Sequence, residues 1–230
     1  MFNLSDKSKS IIKGIIAFLV FNSSIYIQYI PVKLFNLDIK TMSYSTAIVL
    51  STMASIIIFI ILFFMYRKDL KAYFKDFIKN RSKYMDIGIR CWLIGMVIMF
   101  ISNIILNLVL KSGGANNEKV VQTMIKTLPL LMLFDAGVIA PFNEEIVFRK
   151  TIKDIFKNKW VFLIISFLFF GAAHVLSSAK TAIDYLYIIP YGSLGAAFAY
   201  AYYKTDNLFT SISIHMIHNI ILITISILIH

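Results

Sequence analysis

The stretch that decides the fold runs from Leu208 to Ile229 and reads LFTSISIHMIHNIILITISILI. It contains no lysine, arginine, aspartate or glutamate. As an α-helix it would be about 33 Å long, enough to cross the ~30 Å hydrocarbon core of a bilayer. A helix on the surface of a soluble protein would need a charged face, which this stretch lacks. It therefore predicts a membrane-spanning helix.

The rest of the chain extends this pattern. Hydrophobic residues make up 59% of the 230 residues, against roughly 45–50% in a soluble domain. Charged residues make up 15%, too few to cover a soluble surface of this size. Backbone groups in lipid must bond internally, and the alternation of barrel strands is missing, so we predict an all-α polytopic membrane protein. It has seven spans, or eight if one helix is broken or interfacial; the other six are Ile11–Ile30, Ser45–Tyr66, Ile87–Leu110, Thr127–Phe148, Trp160–Ser178 and Ile183–Tyr203.

Basic residues indicate the orientation. With the N-terminus inside, 17 of the 23 lysines and arginines lie in cytoplasmic segments, which predicts N-in and C-out. The segment 67–83 is either an amphipathic helix on the inner leaflet or a solvated hairpin loop. The basic cluster before the first span has no signal-peptide cleavage site after it, so we interpret that span as retained.

The chain divides at the glycine-containing turn 112–117. Residues 1–115 would form three N-terminal spans with a basic cytoplasmic loop at 67–86. Residues 120–230 would form a catalytic domain of four spans, joined to the first part in one membrane unit.

The composition argues against nucleic-acid binding and against sites that need several cysteines. The formal net charge of +11 lies in short segments between apolar runs, without the motifs of a nucleic-acid-binding protein, so we expect no nucleic acid partner. The single cysteine, Cys91, excludes an internal disulfide and most thiolate metal sites.

Seven ionisable residues of the second half lie in or at the ends of predicted spans, where such groups usually serve function. They are Asp135, Glu144, Glu145, Arg149, His174, His215 and His218.

The string NEEIVFR, residues 143–149, ends the fourth span. Glu145 and Arg149 are four residues apart on one helix face and can form an ion pair, while Glu144 points about 100° away. Two adjacent carboxylates with different partners can take different roles. The alternative is an interfacial pair whose charges both reach the headgroups.

Two further spans carry polar side chains. FGAAH, residues 170–174, places Phe170 one turn before His174, with small residues between them that admit a neighbouring helix. HMIHN, residues 215–219, places His215 and Asn219 on one face. Each histidine could instead be an ordinary interhelical hydrogen-bond partner.

Together these spans bring Glu144, His174, His215 and Asn219 within reach of one site. A carboxylate with an imidazole can activate water, and a second imidazole with an amide can stabilise an oxyanion. Glu144, His174 and His215 could instead hold zinc with an open water position. The residues alone leave both alternatives open.

The blocks NEEIVFRK, FFGAAHV and SISIHMIHN resemble the EExxxR, FxxxH and HxxxN motifs of the CPBP intramembrane protease family. This family includes the type II CAAX prenyl endopeptidases and many bacterial Abi and bacteriocin-associated proteins. The resemblance covers about residues 143–219, and Lys150 departs from the small residue that often follows the motif arginine.

The resemblance implies an intramembrane endopeptidase in which Glu144 and His174 activate water and His215 and Asn219 stabilise the oxyanion. Glu145 and Arg149 would hold the motif in shape, with Phe170 as a supporting residue. Between the two chemistries we then prefer no cofactor, because the asparagine of the last motif suits an oxyanion hole better than a metal shell. His218 lies outside the general motif and receives at most a supporting role.

Residues that form one site must lie at similar depths in the membrane. Glu144 would lie ~6–8 Å inside the inner boundary, but His174 ~20 Å along its helix from Trp160. We therefore expect the fifth helix to start below the interface or tilt, or the fourth to continue past Lys153.

The expected partners are the lipid bilayer and a membrane-embedded peptide or protein substrate, in a bacterial plasma membrane. A signal or bacteriocin leader peptide fits the composition better than a prenylated protein. The alternatives are a non-catalytic immunity or regulatory protein with the same fold, and a proton-coupled transporter, against which the missing inverted repeat argues.

Overall fold

A computed structural model describes residues 5–110 and 115–229, and its regular secondary structure in these ranges is entirely helical. This confirms the all-α prediction. The turn predicted at 112–117 lies partly outside the described residues, which resume at Ala115.

The chain begins with two helices that meet at an angle. Helix α1 spans Asp6–Asn22 and starts at Ser5, whose side chain accepts a hydrogen bond from the backbone of Ser8. Helix α2 spans Ser24–Leu34, and the two axes differ by 46°. The predicted first span is therefore bent near its middle.

Helix α3, Tyr44–Leu110, is 67 residues long and contains two of the predicted spans. Residues 67–86 between them are helical, so the solvated-loop alternative for this segment is wrong. Leu70 is buried in the core, while Phe74 is half exposed. The two-sided burial agrees with the amphipathic alternative.

Contacts with a later helix, α7 (Ile188–Thr205), require α3 to bend. Gly95 packs against Ala197, while the Tyr73 hydroxyl lies 2.9 Å from that of Tyr202. The two α7 positions are about 8 Å apart, whereas Tyr73 and Gly95 would be about 33 Å apart on a straight helix. The bend brings both apolar halves of α3 into one bundle.

A short helix, α4, spans Asn116–Thr127 after the predicted division of the chain. Its Asn117 amide donates to the Tyr191 hydroxyl at 3.4 Å, and Gln122 accepts from Ser226 at 2.5 Å. This segment therefore packs across the ends of later helices.

Helix α5, residues 129–155, begins with Pro129 in its first turn, where the missing N–H costs no hydrogen bond. Its α-helical parts are Pro129–Phe134, Ala140–Glu145 and Thr151–Ile155, and the parts between them, Asp135–Ile139 and Ile146–Lys150, are π-helical. The helix continues past Lys153, which confirms one of the arrangements expected from the depth of Glu144.

Three helices complete the fold. Helix α6, Lys159–Val175, is capped by the Asn158 side chain, and a 3-10 turn, Ala182–Tyr187, leads into α7. Helix α8, Leu208–Ile229, has the bounds predicted for the last span. A left-handed Asp206, with φ of 50°, joins α7 to α8.

By length and composition, two of the described helices can cross a membrane, Tyr44–Val109 and Leu208–Ile229, and α1 with α2 is a third if the bent pair is one span. The α6 helix has 17 residues, and α5 carries charged residues. The count of seven spans and the N-in, C-out orientation stay predictions, as does the division into two parts.

Candidate active site

The two adjacent glutamates lie on α5 between its two π-helical segments. Each π segment adds a residue to a turn and shifts the side chains that follow it around the helix. Glu144 and Glu145 close the α-helical segment Ala140–Glu145, and Arg149 lies in the π segment after it. Single-turn π segments of this kind often occur at functional sites.

Glu145 is fully buried and has partners on two helices. Its carboxylate accepts hydrogen bonds from the Ser211 hydroxyl and from Nδ1 of His215, the latter at 2.8 Å. Nε of Arg149 lies 3.3 Å from Oε2 of Glu145. Because of these partners, Glu145 links α5 to α8 and has little freedom to act on a substrate.

Arg149 is also fully buried, at 0% exposure. Its guanidinium carbon lies 4.3 Å from the ring centre of Phe170 and 5.6 Å from that of Phe198. The alternative in which the Glu145–Arg149 pair reaches the headgroups is therefore wrong. The pair is an intrahelical ion pair inside the bundle, and its role in holding the motif in shape stays a prediction.

Glu144 has a different environment from its neighbour. Its Oε2 atom lies 3.8 Å from Nε2 of His215, too far for a hydrogen bond, and no described donor bonds it. The side chain is 16% exposed, whereas that of Glu145 is 0% exposed. One carboxylate is thus fixed and the other remains free to bind water.

His215 lies between the two carboxylates, with Nδ1 on Glu145 and Nε2 towards Glu144. Its ring stacks on Phe198 at 4.6 Å between centres, and the edge of Phe170 packs against it at 5.5 Å. These contacts fix the imidazole plane, so that Nε2 faces the Glu144 side.

His174 on α6 is held by its own helix and by α7. Nδ1 donates to the Phe170 carbonyl at 2.9 Å, because a carbonyl oxygen can only accept. The ring stacks on Tyr191 at 4.9 Å and contacts Phe170 at 4.4 Å. Nε2 is consequently the nitrogen left for chemistry.

Asn219 holds α8 against α5. Its Nδ2 donates to the Ala136 carbonyl at 2.7 Å, and an amide nitrogen carries a second N–H. His218 has a packing role: it accepts a hydrogen bond from the Trp92 indole at 3.2 Å.

Phe170 is the common neighbour of the site. Its ring contacts Arg149, His174 and His215, one residue from each of three helices. The predicted supporting residue thus packs against three of the candidate groups.

Three residues of the site have no place in the sequence prediction: Ser211, Tyr191 and Phe198. Ser211 lies four residues before His215, so helical spacing alone could have placed it beside that histidine. Tyr191 and Phe198 carry no such signal, because aromatic residues are common throughout these apolar helices.

The alternative zinc site requires three ligands around one point. Within residues 5–110 and 115–229, no three His, Cys, Asp or Glu side chains are arranged to hold a metal ion. Nδ1 of His215 donates to Glu145 and Nδ1 of His174 to a backbone carbonyl, which leaves Nε2 of each ring as the nitrogen that could bind a metal. Because the described side chains form no group of three ligands, we derive no step through a metal.

The second half of the chain is similar to a known protein family. Residues 126–221 match the family described as type II CAAX prenyl endopeptidase Rce1-like. We call residues 126–221 the Rce1-like segment after this similarity. The Rce1-like segment contains Glu144, His174, His215 and Asn219, so the resemblance predicted from the three motifs is confirmed.

Two curated relatives extend the comparison beyond the Rce1-like segment. UPF0177 protein YxdF of Lactococcus lactis subsp. lactis (strain IL1403) is 28% identical over 170 residues, 71% of this chain and 86% of that protein. Membrane-embedded CAAX protease MroQ of Staphylococcus aureus (strain USA300) is 30% identical over 149 residues, 62% of this chain and 58% of that protein. No solved structure matches the chain significantly.

These matches and the apolar helices confirm the predicted class, a CPBP-family membrane endopeptidase in a multi-pass bacterial membrane protein.

Proposed function

We propose that this protein hydrolyses a peptide bond of a membrane-associated peptide or protein, using water activated by Glu144 and His174. The observation that carries the proposal is the asymmetry of the two glutamates around His215. Glu145 is fixed by three partners, while Oε2 of Glu144 is buried and has no donor. A carboxylate in this condition is suited to take a proton from water.

His174 would help to orient that water. Because its Nδ1 donates to the Phe170 carbonyl, Nε2 has a lone pair that can accept a hydrogen bond. A water held between Glu144 and His174 would present its own lone pair to the carbonyl carbon of a substrate.

In the first step, the water oxygen bonds to the carbonyl carbon, its proton passes to Glu144, and the carbonyl oxygen becomes an oxyanion. A protonated His215 would donate from Nε2, and Asn219 from the second N–H of its amide. In the second step, the C–N bond breaks and Glu144 gives its proton to the leaving amine. These two steps account for the bonds and the proton without a metal ion.

The substrate we propose is a leader peptide of a secreted signal or bacteriocin, or a segment of a membrane protein. One relative is named as a CAAX protease, but the chemistry above requires only a peptide bond that can reach the membrane site. Binding at a site formed by α5, α6 and α8 would select peptides that partition into the bilayer.

The experiment compares bacterial membranes containing wild-type protein with membranes containing Glu144→Gln or His174→Ala at equal protein levels. Mass spectrometry of new peptide ends should find cleavage products with the wild type that both variants lose. An equal set of products from all three would reject catalysis and favour the non-catalytic partner. A strong chelator should leave cleavage by the wild type unchanged.

A further inference from the structure

Beside the candidate site, α5 carries three buried oxygen atoms that no described donor bonds. They are Oδ1 of Asp135, Oδ1 of Asn143 and Oε2 of Glu144. Asp135 is 8% exposed and Asn143 is 2% exposed, so neither reaches bulk water directly. Buried acceptors without a partner are rare, because losing their hydration costs about 1–3 kcal/mol each.

Asp135 and Asn143 face the same strip of α3. Oδ2 of Asp135 accepts a hydrogen bond from the Thr52 hydroxyl at 3.0 Å, and the Asn143 amide donates to the Ser55 carbonyl at 3.0 Å. Thr52 and Ser55 are one turn apart on α3. The unpartnered Oδ1 atoms of both residues therefore lie along one interface between α3 and α5.

The π-helical segment explains this alignment. Eight residues separate Asp135 from Asn143, which on a regular α-helix turns their side chains about 80° apart. The segment Asp135–Ile139 inserts one extra residue into that interval and brings both side chains back to the same face. The local distortion thus serves to line up polar groups.

The α3–α5 interface that contains Asp135 and Asn143 lies next to the proposed catalytic residue, Glu144. Glu144 is the residue after Asn143, so the row of polar side chains on α5 ends beside the proposed catalytic carboxylate. On the adjoining side, Asn219 donates to the carbonyl of Ala136, the residue after Asp135. Polar groups therefore continue from Thr52 to the site itself.

Carboxylate and amide oxygens need donors, and a lipid tail has none. Water is small enough for such a place, and one molecule can donate to two acceptors at once. Asp135 and Asn143 share this requirement along the α3–α5 interface, and Glu144, the next residue, shares it at the site.

We propose that Asp135, Asn143 and Glu144 bind a cluster of internal water molecules at the α3–α5 interface, and that Glu144 draws its hydrolytic water from it. Asp135 is then a positioning residue that acts through water. This role rests on the proposed hydrolysis, whereas the water cluster does not.

The first test measures the water cluster without any substrate. In lipid bilayers, solid-state NMR can follow transfer of magnetisation from water protons to selectively labelled side chains. We expect rapid transfer to Thr52 and Asn143, and slow transfer to Ile58, which is equally buried on α3 but in the apolar core. Transfer to all three at the slow rate would overturn the proposal.

The second test measures the supply of water to the reaction. Asp135→Leu should lower kcat about tenfold with little change in KM, since in this proposal the buried side chain acts only through water. Asp135→Asn should restore most of kcat, because an amide oxygen can still accept from water. The control is Met132→Leu, a buried apolar change one turn away, which should leave both constants unchanged.

The two tests distinguish three results: an absent water cluster, a water cluster that does not supply the reaction, and a protein that does not hydrolyse peptides. If Asp135→Leu folds and keeps wild-type kcat, the supply role is wrong even where NMR detects the water. If Asp135→Leu does not fold, the Asp135→Asn kinetics and the wild-type NMR decide. Rapid water transfer in a protein that cleaves nothing would keep the water cluster and remove the proposed hydrolysis.

Discussion

Burial of the Glu145 and Arg149 charges costs free energy, because both groups lose their hydration. Taking two charges out of water is expensive, and such a pair is retained only with good geometry and additional partners. Ser211 and His215 supply those partners to the carboxylate, whereas the guanidinium packs against Phe170 and its three nitrogens have no described hydrogen-bond partner. The pair fixes the relative positions of α5 and α8, and so the distance from Glu144 to His215.

This division of roles predicts different stabilities for two similar variants. Glu145→Gln leaves Arg149 buried without a counter-charge and should lower the free energy of unfolding by about 3 kcal/mol. Glu144→Gln should change it by less than about 1 kcal/mol, because that side chain bonds to no described donor. Thermal unfolding of the purified proteins in detergent measures both.

The matched control is Glu118→Gln on α4, which lies away from the site. Equal losses of stability in Glu144→Gln and Glu145→Gln would contradict the assignment of a structural role to Glu145 alone.

At the residue scale, sequence spacing predicted the Glu145–Arg149 pair and placed His215 and Asn219 on one helix face. It did not predict that Asn219 bonds to Ala136, or that Tyr191 stacks on His174. Those contacts depend on how two helices pack, which the spacing along a single helix does not determine.

At the scale of elements, the close approach of α6 and α7 positions His174. A Cβ atom on Gly171 would lie 2.6 Å from the Ile188 carbonyl oxygen, and one on Gly192 would lie 2.8 Å from the Phe167 ring. Small residues at these points allow the two helices to touch along their backbones. The small residues before His174 had indicated such a contact.

Gly171→Ala should therefore push α6 away from α7. We expect a loss of about 1–3 kcal/mol in unfolding free energy, typical of overpacking, and a lower kcat because His174 lies one turn further along. The measurements are thermal unfolding and the cleavage rate.

Gly14→Ala is the control for this change. There the added Cβ would meet the flexible end of the Ile155 side chain at 3.1 Å, which can move aside. A Gly171→Ala protein as stable and active as Gly14→Ala would contradict the role given to the α6–α7 contact.

The elements themselves were largely predictable from hydropathy, with instructive exceptions. The bounds of α8 follow from an uninterrupted apolar run. The segment 67–86 was uncertain because lysines alternate with apolar residues there, a pattern that suits either a loop or an amphipathic helix. The π segments of α5 have no hydropathy signal, because one extra residue in a turn leaves the apolar pattern nearly unchanged.

At the scale of the whole molecule, the distribution of basic residues predicts the orientation. Seventeen of 23 lysines and arginines lie on the side predicted to be cytoplasmic. In a Cys91→Ala background, a cysteine at exposed Ala182 should react with a membrane-impermeant thiol reagent in intact cells. A cysteine at exposed Ser82 should react only after the cells are permeabilised.

The reverse labelling pattern would show that the N-in, C-out prediction is wrong. The proposed chemistry would survive that result, since it depends on the helices that meet around Phe170 and not on which side each end faces.

The central claim is that Glu144 activates water for peptide hydrolysis. The most direct measurement is the rate at which purified protein in lipid nanodiscs cleaves a membrane-associated peptide, compared among wild type, Glu144→Gln and Glu118→Gln. We predict that Glu144→Gln is at least about a hundredfold slower, as expected for loss of a general base, while Glu118→Gln stays within twofold of the wild type. Cleavage by Glu144→Gln at the wild-type rate would contradict the account.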